Sequence, residues 1–436
     1  MIEAAVNSFR IPDLRQKLLF TGAMLIIFRF IANIPVPGVN VDALRSLFDN
    51  NQLIGMLDLF SGGALSSFSV AAMGVYPYIT AQIIVQLMIP VVPRLQEVVN
   101  EGESGRAKMN QWTYWLTVPL AFLQAFGTVQ FINATTGQPI ITNFGFDKDP
   151  LATFALLVSM TAGTLLLIWI GELISQQGIG NGISIIIFGG IVSGIPRNVY
   201  RSVVSATAGG GGIPWGLIAF VVIGALTTYA IVFVYEGQRR IPVQYAKRLR
   251  GNRWYGGGTT HIPLRVNSAG MIPLIFASSI MIFPGTVSSY FMHTGNDFVD
   301  TLASTVYNLF YLGSSWLYWV LYFMMVVGFT FFYALVLFEQ QKIAETLQKH
   351  GGFVPGIRPG RPTQEYLYKV LTRITWGGAI FLGAVAVLPF IARNITQIQA
   401  LTLSSTALLI VVGVLLDTIK QLEAQLLMRH YQGFIR

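Results

Sequence analysis

The sequence contains no cysteine and very little charge. Without a thiol, disulfides, Cys-ligated zinc, iron–sulfur clusters and a Cys nucleophile are all excluded. Asp, Glu, Lys and Arg make up 11% of the 436 residues, against roughly 25% in ordinary soluble domains. The four histidines, His261, His293, His350 and His430, stand in or beside polar breaks, and none has an HExxH context; they read as solvated residues rather than metal ligands. No GxxxxGK[ST] stretch occurs, so no P-loop binds a nucleotide, and energy for any transport must come from a partner or a gradient. Ionisable groups at membrane depth are costly and mark pathways where they occur. Here they are scarce. Arg29 lies within the first apolar run, where its long side chain is expected to snorkel outward or to make a structural pairing. Glu172 and Glu236 lie near the ends of runs and are expected to reach headgroups or loop arginines. No cofactor, metal or covalent chemistry is expected.

What fills the sequence instead is apolar: 53% hydrophobic residues and a mean hydropathy of +0.60. A soluble core does not absorb that much apolar surface, and runs of roughly 20 residues match a bilayer crossing. Ten such runs lie near 18–34, 68–92, 112–134, 151–174, 182–203, 214–236, 264–290, 313–338, 370–392 and 403–424, which predicts ten transmembrane helices. The N-terminal stretch MIEAAVNSFRIPDLRQK carries polar residues and lacks a short apolar region ending in a small-residue cleavage site, so no cleaved signal peptide is expected.

The net charge of +9 is distributed unevenly. With both termini placed inside, 22 of the 28 Lys and Arg fall on inner segments and their immediate flanks; Arg45, Lys148, Arg197, Arg201 and Arg393 fall outside them, and Arg29 lies within the first run. The positive-inside rule therefore predicts cytoplasmic termini. Two inner loops, 237–263 and 339–369, are long and basic, whereas the outer segment 35–67 is nearly uncharged and contains Gly62 and Gly63. Its stretch GMLDLFSGGAL is able to fold back at membrane depth where protein surrounds it. Five crossings before and five after about residue 203 suggest halves 1–203 and 204–436 of inverted orientation.

Six stretches, in order along the chain, resemble the SecY family. They are DLFSGGALSSFSVAAMGVYPYITAQIIVQLM (58–88), EGESGRAKMNQ (101–111), GELISQQGIGNGISIIIFGGIVSGIP (171–196), EGQRRIPVQYAKR (236–248), HIPLRVNSAGMIPLIFASSI (261–280) and FVPGIRPGRPT (353–363). The resemblance implies an all-α membrane channel of two inverted five-helix halves around an hourglass pore, closed by an aliphatic ring and a plug helix. The implied ring is Val75 and Ile79 on the second span, Ile183 and Ile187 on the fifth, Ile275 on the seventh and Ile410 on the tenth. Within the first two pairs the spacing is four, which puts each pair on one helix face. Val75 is smaller than the isoleucine the family pattern suggests. The implied plug is about 56–66, with Phe60, Ser61, Gly62, Gly63, Ala64 and Leu65 at its centre.

The same resemblance implies a lateral gate between the second and seventh spans, with Thr80, Gln86 and Asn267 as candidate polar contacts. It also implies docking of a motor or ribosome on the basic loops through Arg239, Arg240, Lys247, Arg248 and Arg358. The implied function is a protein-conducting subunit of the bacterial cytoplasmic membrane. It passes unfolded secretory chains across and releases transmembrane segments sideways into the bilayer. SecE and SecG are the implied membrane partners, with SecA or a translating ribosome supplying the drive and signal sequences as the ligands. Two other classes fit the span count: a secondary transporter, which would take up solute on an ion gradient without SecA, and an insertase or scaffold without a pore, which would stay silent to ions after deletion of 56–66.

Overall fold

The computed structural model describes residues 11–36, 39, 61–136, 141, 144–146, 148–207, 215–245, 248–250, 253–255, 258–291, 297–310, 316–396 and 404–432. The chain is mostly helical. The first half contributes α1 (Pro12–Ala32), α2 (Tyr76–Met88), α3 (Pro93–Asn100), α4 (Glu103–Thr136), α5 (Pro150–Gln177) and α6 (Gly182–Thr207). The second contributes α7 (Trp215–Glu236), α8 (Ile272–Phe291), α9 (Asp297–Phe310), α10 (Trp316–Gln341), α11 (Ile343–Lys349), α12 (Arg361–Thr396) and α13 (Ser404–Gln432).

Each of the ten apolar runs overlaps a helix, the second and the seventh only in part. Among the described residues three helical stretches are long and apolar enough to cross a bilayer alone, Pro150–Gln177, Trp316–Lys349 and Arg361–Leu388. The pair Tyr76–Met88 and Pro93–Val99 passes the same test together and is bent by 105°. Helix starts follow local chemistry. Proline occupies the first turn of α1, α2, α3 and α5, where its missing N–H leaves no bond unmade. At α5 the Asp149 carboxylate also caps the helix, accepting from the Ala152 amide at 3.2 Å. Prolines 119, 196 and 284 lie inside α4, α6 and α8, a placement that packed neighbours make tolerable in a membrane.

The expected second span, 68–92, differs from the structure. Residues 61–75 run as successive turns, and α2 has only 13 residues, about 20 Å of rise against a hydrocarbon core of about 30 Å. The turn segment is tied to the end of α1: the Val36 amide donates to the Phe68 carbonyl at 3.0 Å and the Val70 amide to the Ile34 carbonyl at 3.1 Å. The apolar composition of this stretch therefore reflects burial within protein rather than helix facing lipid.

The basic loops also hold structure that the hydropathy reading passed over. In the first, β1 (Gln238–Tyr245) pairs antiparallel with β4 (Thr259–Arg265), from Gln238 opposite Arg265 to Gln244 opposite Thr259. Between them β2 (Arg248–Arg250) pairs with β3 (Arg253–Tyr255). A two-residue strand from the second loop, β5 (Gly352–Phe353), adds to the other edge of β1. Burial alternates along β1, placing Ile241 and Val243 inward, as a pleated strand with one covered face requires. They join Leu264, Phe338, Leu347, Val354, Leu367, Val370 and Leu371 in a small apolar core, which links the two loops into one unit.

A larger core runs through the helices and draws on both ends of the chain. Between α1–α6 and α7–α13 the main contacts form two seams: α8 packs against α2 and α4, and α13 and α7 pack against α6.

Candidate functional site

Five of the six ring candidates lie in the one large apolar cluster: Val75, Ile79, Ile187, Ile275 and Ile410, each 5% exposed or less. Ile183 is partly buried and packs against the same cluster, with its Cγ1 close to Gly171 of α5. Val75 caps α2, and the Ile79 amide donates to its carbonyl at 3.1 Å, so these two side chains do share a helix face. Four helices, α2, α6, α8 and α13, thus contribute aliphatic groups to a common core, and those groups come from both sides of the two seams.

The turn segment belongs to the same cluster through Ala64, Leu65, Phe68, Ala71, Ala72 and Met73. Its start is a tight polar turn. The Leu65 amide donates to the Ser61 hydroxyl at 3.0 Å, and the Ser66 hydroxyl donates to the Gly63 carbonyl at 2.8 Å. Gly62 has a φ of +70° and Gly63 one of +83°, in the left-handed region that glycine enters without strain. A Cβ on Gly62 would stand 2.6 Å from the Phe28 ring of α1 and 3.0 Å from Gly190 Cα of α6. The turn is therefore pressed between α1 and α6 with no room for side chains at the contact. Helix is absent from 61–75; Phe60 and the rest of the plug reading, 56–60, lie outside the described residues.

Arg29, half-buried on α1, meets the turn segment. Its Nη1 donates to the Gly62 carbonyl at 2.7 Å, the structural pairing foreseen as one of its two fates. The partner, 33 residues away, carries no sequence signal that ties it to Arg29.

At the α2/α8 seam the candidate gate residues are placed as follows. The Thr80 hydroxyl donates to the Tyr76 carbonyl on its own helix at 3.1 Å and accepts from Gln124 Nε2 of α4 at 3.3 Å. Gln86 Oε1 is buried and has no hydrogen-bond partner among the described residues. Asn267 is buried in the turn ahead of α8 rather than on the helix, and its Nδ2 donates to the Gly270 carbonyl at 3.1 Å. The polar link from α2 to α8 is made by a residue the sequence reading did not single out: the Tyr76 hydroxyl donates to the Ser279 carbonyl at 3.2 Å.

The docking candidates are divided between two small sheets and a turn. Arg239 and Arg240 are exposed on β1, Arg248 opens β2, and Arg358 is exposed in the turn between β5 and α12, where its carbonyl accepts from the Thr363 hydroxyl at 2.8 Å. Lys247 lies outside the described residues. A polar cavity of about 300 Å³ sits where β4, α6 and α13 meet, lined among others by Asn181, Arg265, Asp417 and Lys420. Arg265 Nη1 stands 4.0 Å from Asp417 Oδ1 across it.

The SecY family model matches residues 69–419. Among curated proteins, "Protein translocase subunit SecY" of Streptomyces galbus is 42% identical over 448 residues, covering 100% of both chains. The protein of the same description from Mycobacterium bovis is 42% identical over 454 residues, again covering 100% of both. Among solved structures, one described as the structure of a protein conducting channel superposes with a TM-score of 0.63 at 17% identity, covering 94% of this chain and 92% of that one. A second, described as showing that the plug domain of the SecY protein stabilises the closed state of the translocation channel, also has a TM-score of 0.63, at 18% identity and the same coverage. These two likenesses establish the fold.

Proposed function

The chain belongs to the SecY family, and on that footing we propose that it is the multi-pass, protein-conducting subunit of a bacterial translocase, passing unfolded chains across the cytoplasmic membrane and releasing apolar segments sideways into lipid. It is a channel subunit and not by itself an enzyme. The observation that carries the reading is the shared apolar cluster, in which ring candidates from α2, α6, α8 and α13 are buried together with the turn segment.

A constriction of aliphatic side chains blocks ions because water does not wet it, yet it spreads for a polypeptide. Such a seal offers no charge or fixed ligand, so it suits cargo of any sequence. In this reading the halves 1–203 and 204–436 open about the α6/α7 connection, the turn at 61–66 is part of the plug, and the α2/α8 seam is the lateral gate. The exposed arginines of β1 and the Arg358 turn take the motor SecA or a ribosome, since guanidinium groups pair with carboxylates and with phosphates in a two-pronged geometry. SecE and SecG complete the membrane complex, with both termini of this chain cytoplasmic.

The test is ion conductance in planar bilayers of the chain reconstituted with its membrane partners, comparing wild type with Ile187→Gly plus Ile410→Gly. A tight wild type and a leaky variant are expected. Equal silence from both would remove the proposed seal.

A further inference from the structure

We propose that Arg29 is a positioning residue that seats the 61–66 turn in the closed channel. The inference rests on the reading of that turn as part of the plug. A cation at membrane depth persists only where a partner compensates it, and here the guanidinium is aimed at a backbone carbonyl, Gly62 O, at 2.7 Å. The bond falls where the turn is pinched. Gly62 is flanked by the Phe28 ring, one residue before Arg29, and by Gly190 of α6, while a Cβ on Gly63 would lie 3.5 Å from Arg29 Nη1. Phe28 and Gly190 give the seat its shape by contact, and the Leu65–Ser61 and Ser66–Gly63 hydrogen bonds brace the turn from within. The guanidinium adds a directed bond between α1 and the turn. It holds one registry of the turn against α1 and lets go without any covalent step when the turn leaves its seat.

The experiment exploits the absence of cysteine. Ser67→Cys places a single thiol on the half-buried residue beyond the turn. Its labelling rate with a maleimide is measured in nanodiscs holding the whole complex, with and without an added signal peptide, in the Arg29, Arg29→Lys, Arg29→Gln and Arg29→Met backgrounds. Only material that elutes as intact complex is compared. If Arg29→Met does not assemble, Arg29→Gln, which brings no buried cation, takes its place.

Losing one charge-assisted hydrogen bond shifts a closed-to-open ratio roughly ten- to hundredfold. Resting labelling is therefore expected to rise about tenfold or more in Arg29→Met, with Arg29→Lys recovering part of the protection because it keeps a cationic donor. Idle ion conductance in planar bilayers is expected to rise in the same order of variants. Resting labelling within twofold of wild type in Met and Gln backgrounds, while signal peptide still raises it, would overturn the role of Arg29 and leave the plug standing. If signal peptide raises labelling in no background, the turn is not the moving seal and both readings fall.

Discussion

The Tyr76 hydroxyl donates to the Ser279 carbonyl at 3.2 Å, joining α2 to α8 across 203 positions of sequence. The bond starts one residue from the ring candidate Val75 and ends four from the ring candidate Ile275. Among the described residues, Gln86 Oε1 of α2 and Gln124 Oε1 of α4 are buried with no hydrogen-bond partner, so polar capacity beside the seam is left unused. Tyr76→Phe removes only the oxygen. Interhelical hydrogen bonds in membranes contribute about 0.6 to 2 kcal/mol, so the separated population of α2 and α8 is expected to grow roughly three- to thirtyfold. Distances between spin labels placed on the two helices measure this. An unchanged distribution would mean that the bond does not contribute to closure.

Gly190 and Gly189 are neighbours on α6 that answer differently to the same substitution. A Cβ on Gly190 runs into the Gly62 backbone, whereas one on Gly189 meets only Leu25 side-chain carbons, the nearest at 2.7 Å. A backbone cannot step aside as a rotamer can. Gly190→Ala is expected to raise idle ion conductance by displacing the turn, and Gly189→Ala to leave it close to wild type. Equal conductance in the two variants would show that the turn does not seat against α6.

Gly163 of α5 sits against the carbonyl of Val70, and a Cβ there collides with that backbone oxygen. Gly163→Val is expected to destabilise the fold by at least the ~1–3 kcal/mol typical of an overpacked core. Thermal unfolding in detergent gives the readout, with Gly22→Val as control because nothing lies within 4 Å of a Cβ at Gly22. Matching midpoints for the two variants would contradict the packing.

Arg239 and Arg240 are exposed on β1, while the strand is anchored further along by the buried Ile241 and Val243. Arg239→Glu with Arg240→Glu is expected to leave the thermal midpoint and idle conductance unchanged. Binding of SecA or ribosomes to the reconstituted complex is expected to weaken roughly tenfold at low salt, with a flatter salt dependence, because exposed interface charges act mainly on encounter. Binding that is indifferent to this double reversal would place the docking surface elsewhere.

The helices were legible because a run of apolar residues of bilayer length has one favourable solution in lipid, a helix that satisfies its own backbone. That logic failed at 68–75, where apolar residues lie inside protein as turns. Phe68, fully buried with a φ of +44°, is held there by backbone bonds to Val36 and Leu65. It also passed over α9, whose Asp297 and Asp300 open an amphipathic helix too short and too polar to register as a crossing. On β1, the alternation of Arg240, Ile241, Pro242, Val243 and Gln244 was readable as a strand, but its partner β5 lies about a hundred residues further on and is only two residues long.

The sequence by itself determined that this chain lives in a bilayer, where most of its long helices lie, and through its motifs which family it belongs to. Those properties rest on composition and spacing within a few turns of chain. Only the tertiary structure decided that Arg29 meets Gly62, that Gly62 lies against Gly190, and that Tyr76 reaches Ser279. Each of these depends on which faces of distant segments are brought together. A missing Cβ or a single guanidinium acquires its role only once another backbone stands within 3 Å of it.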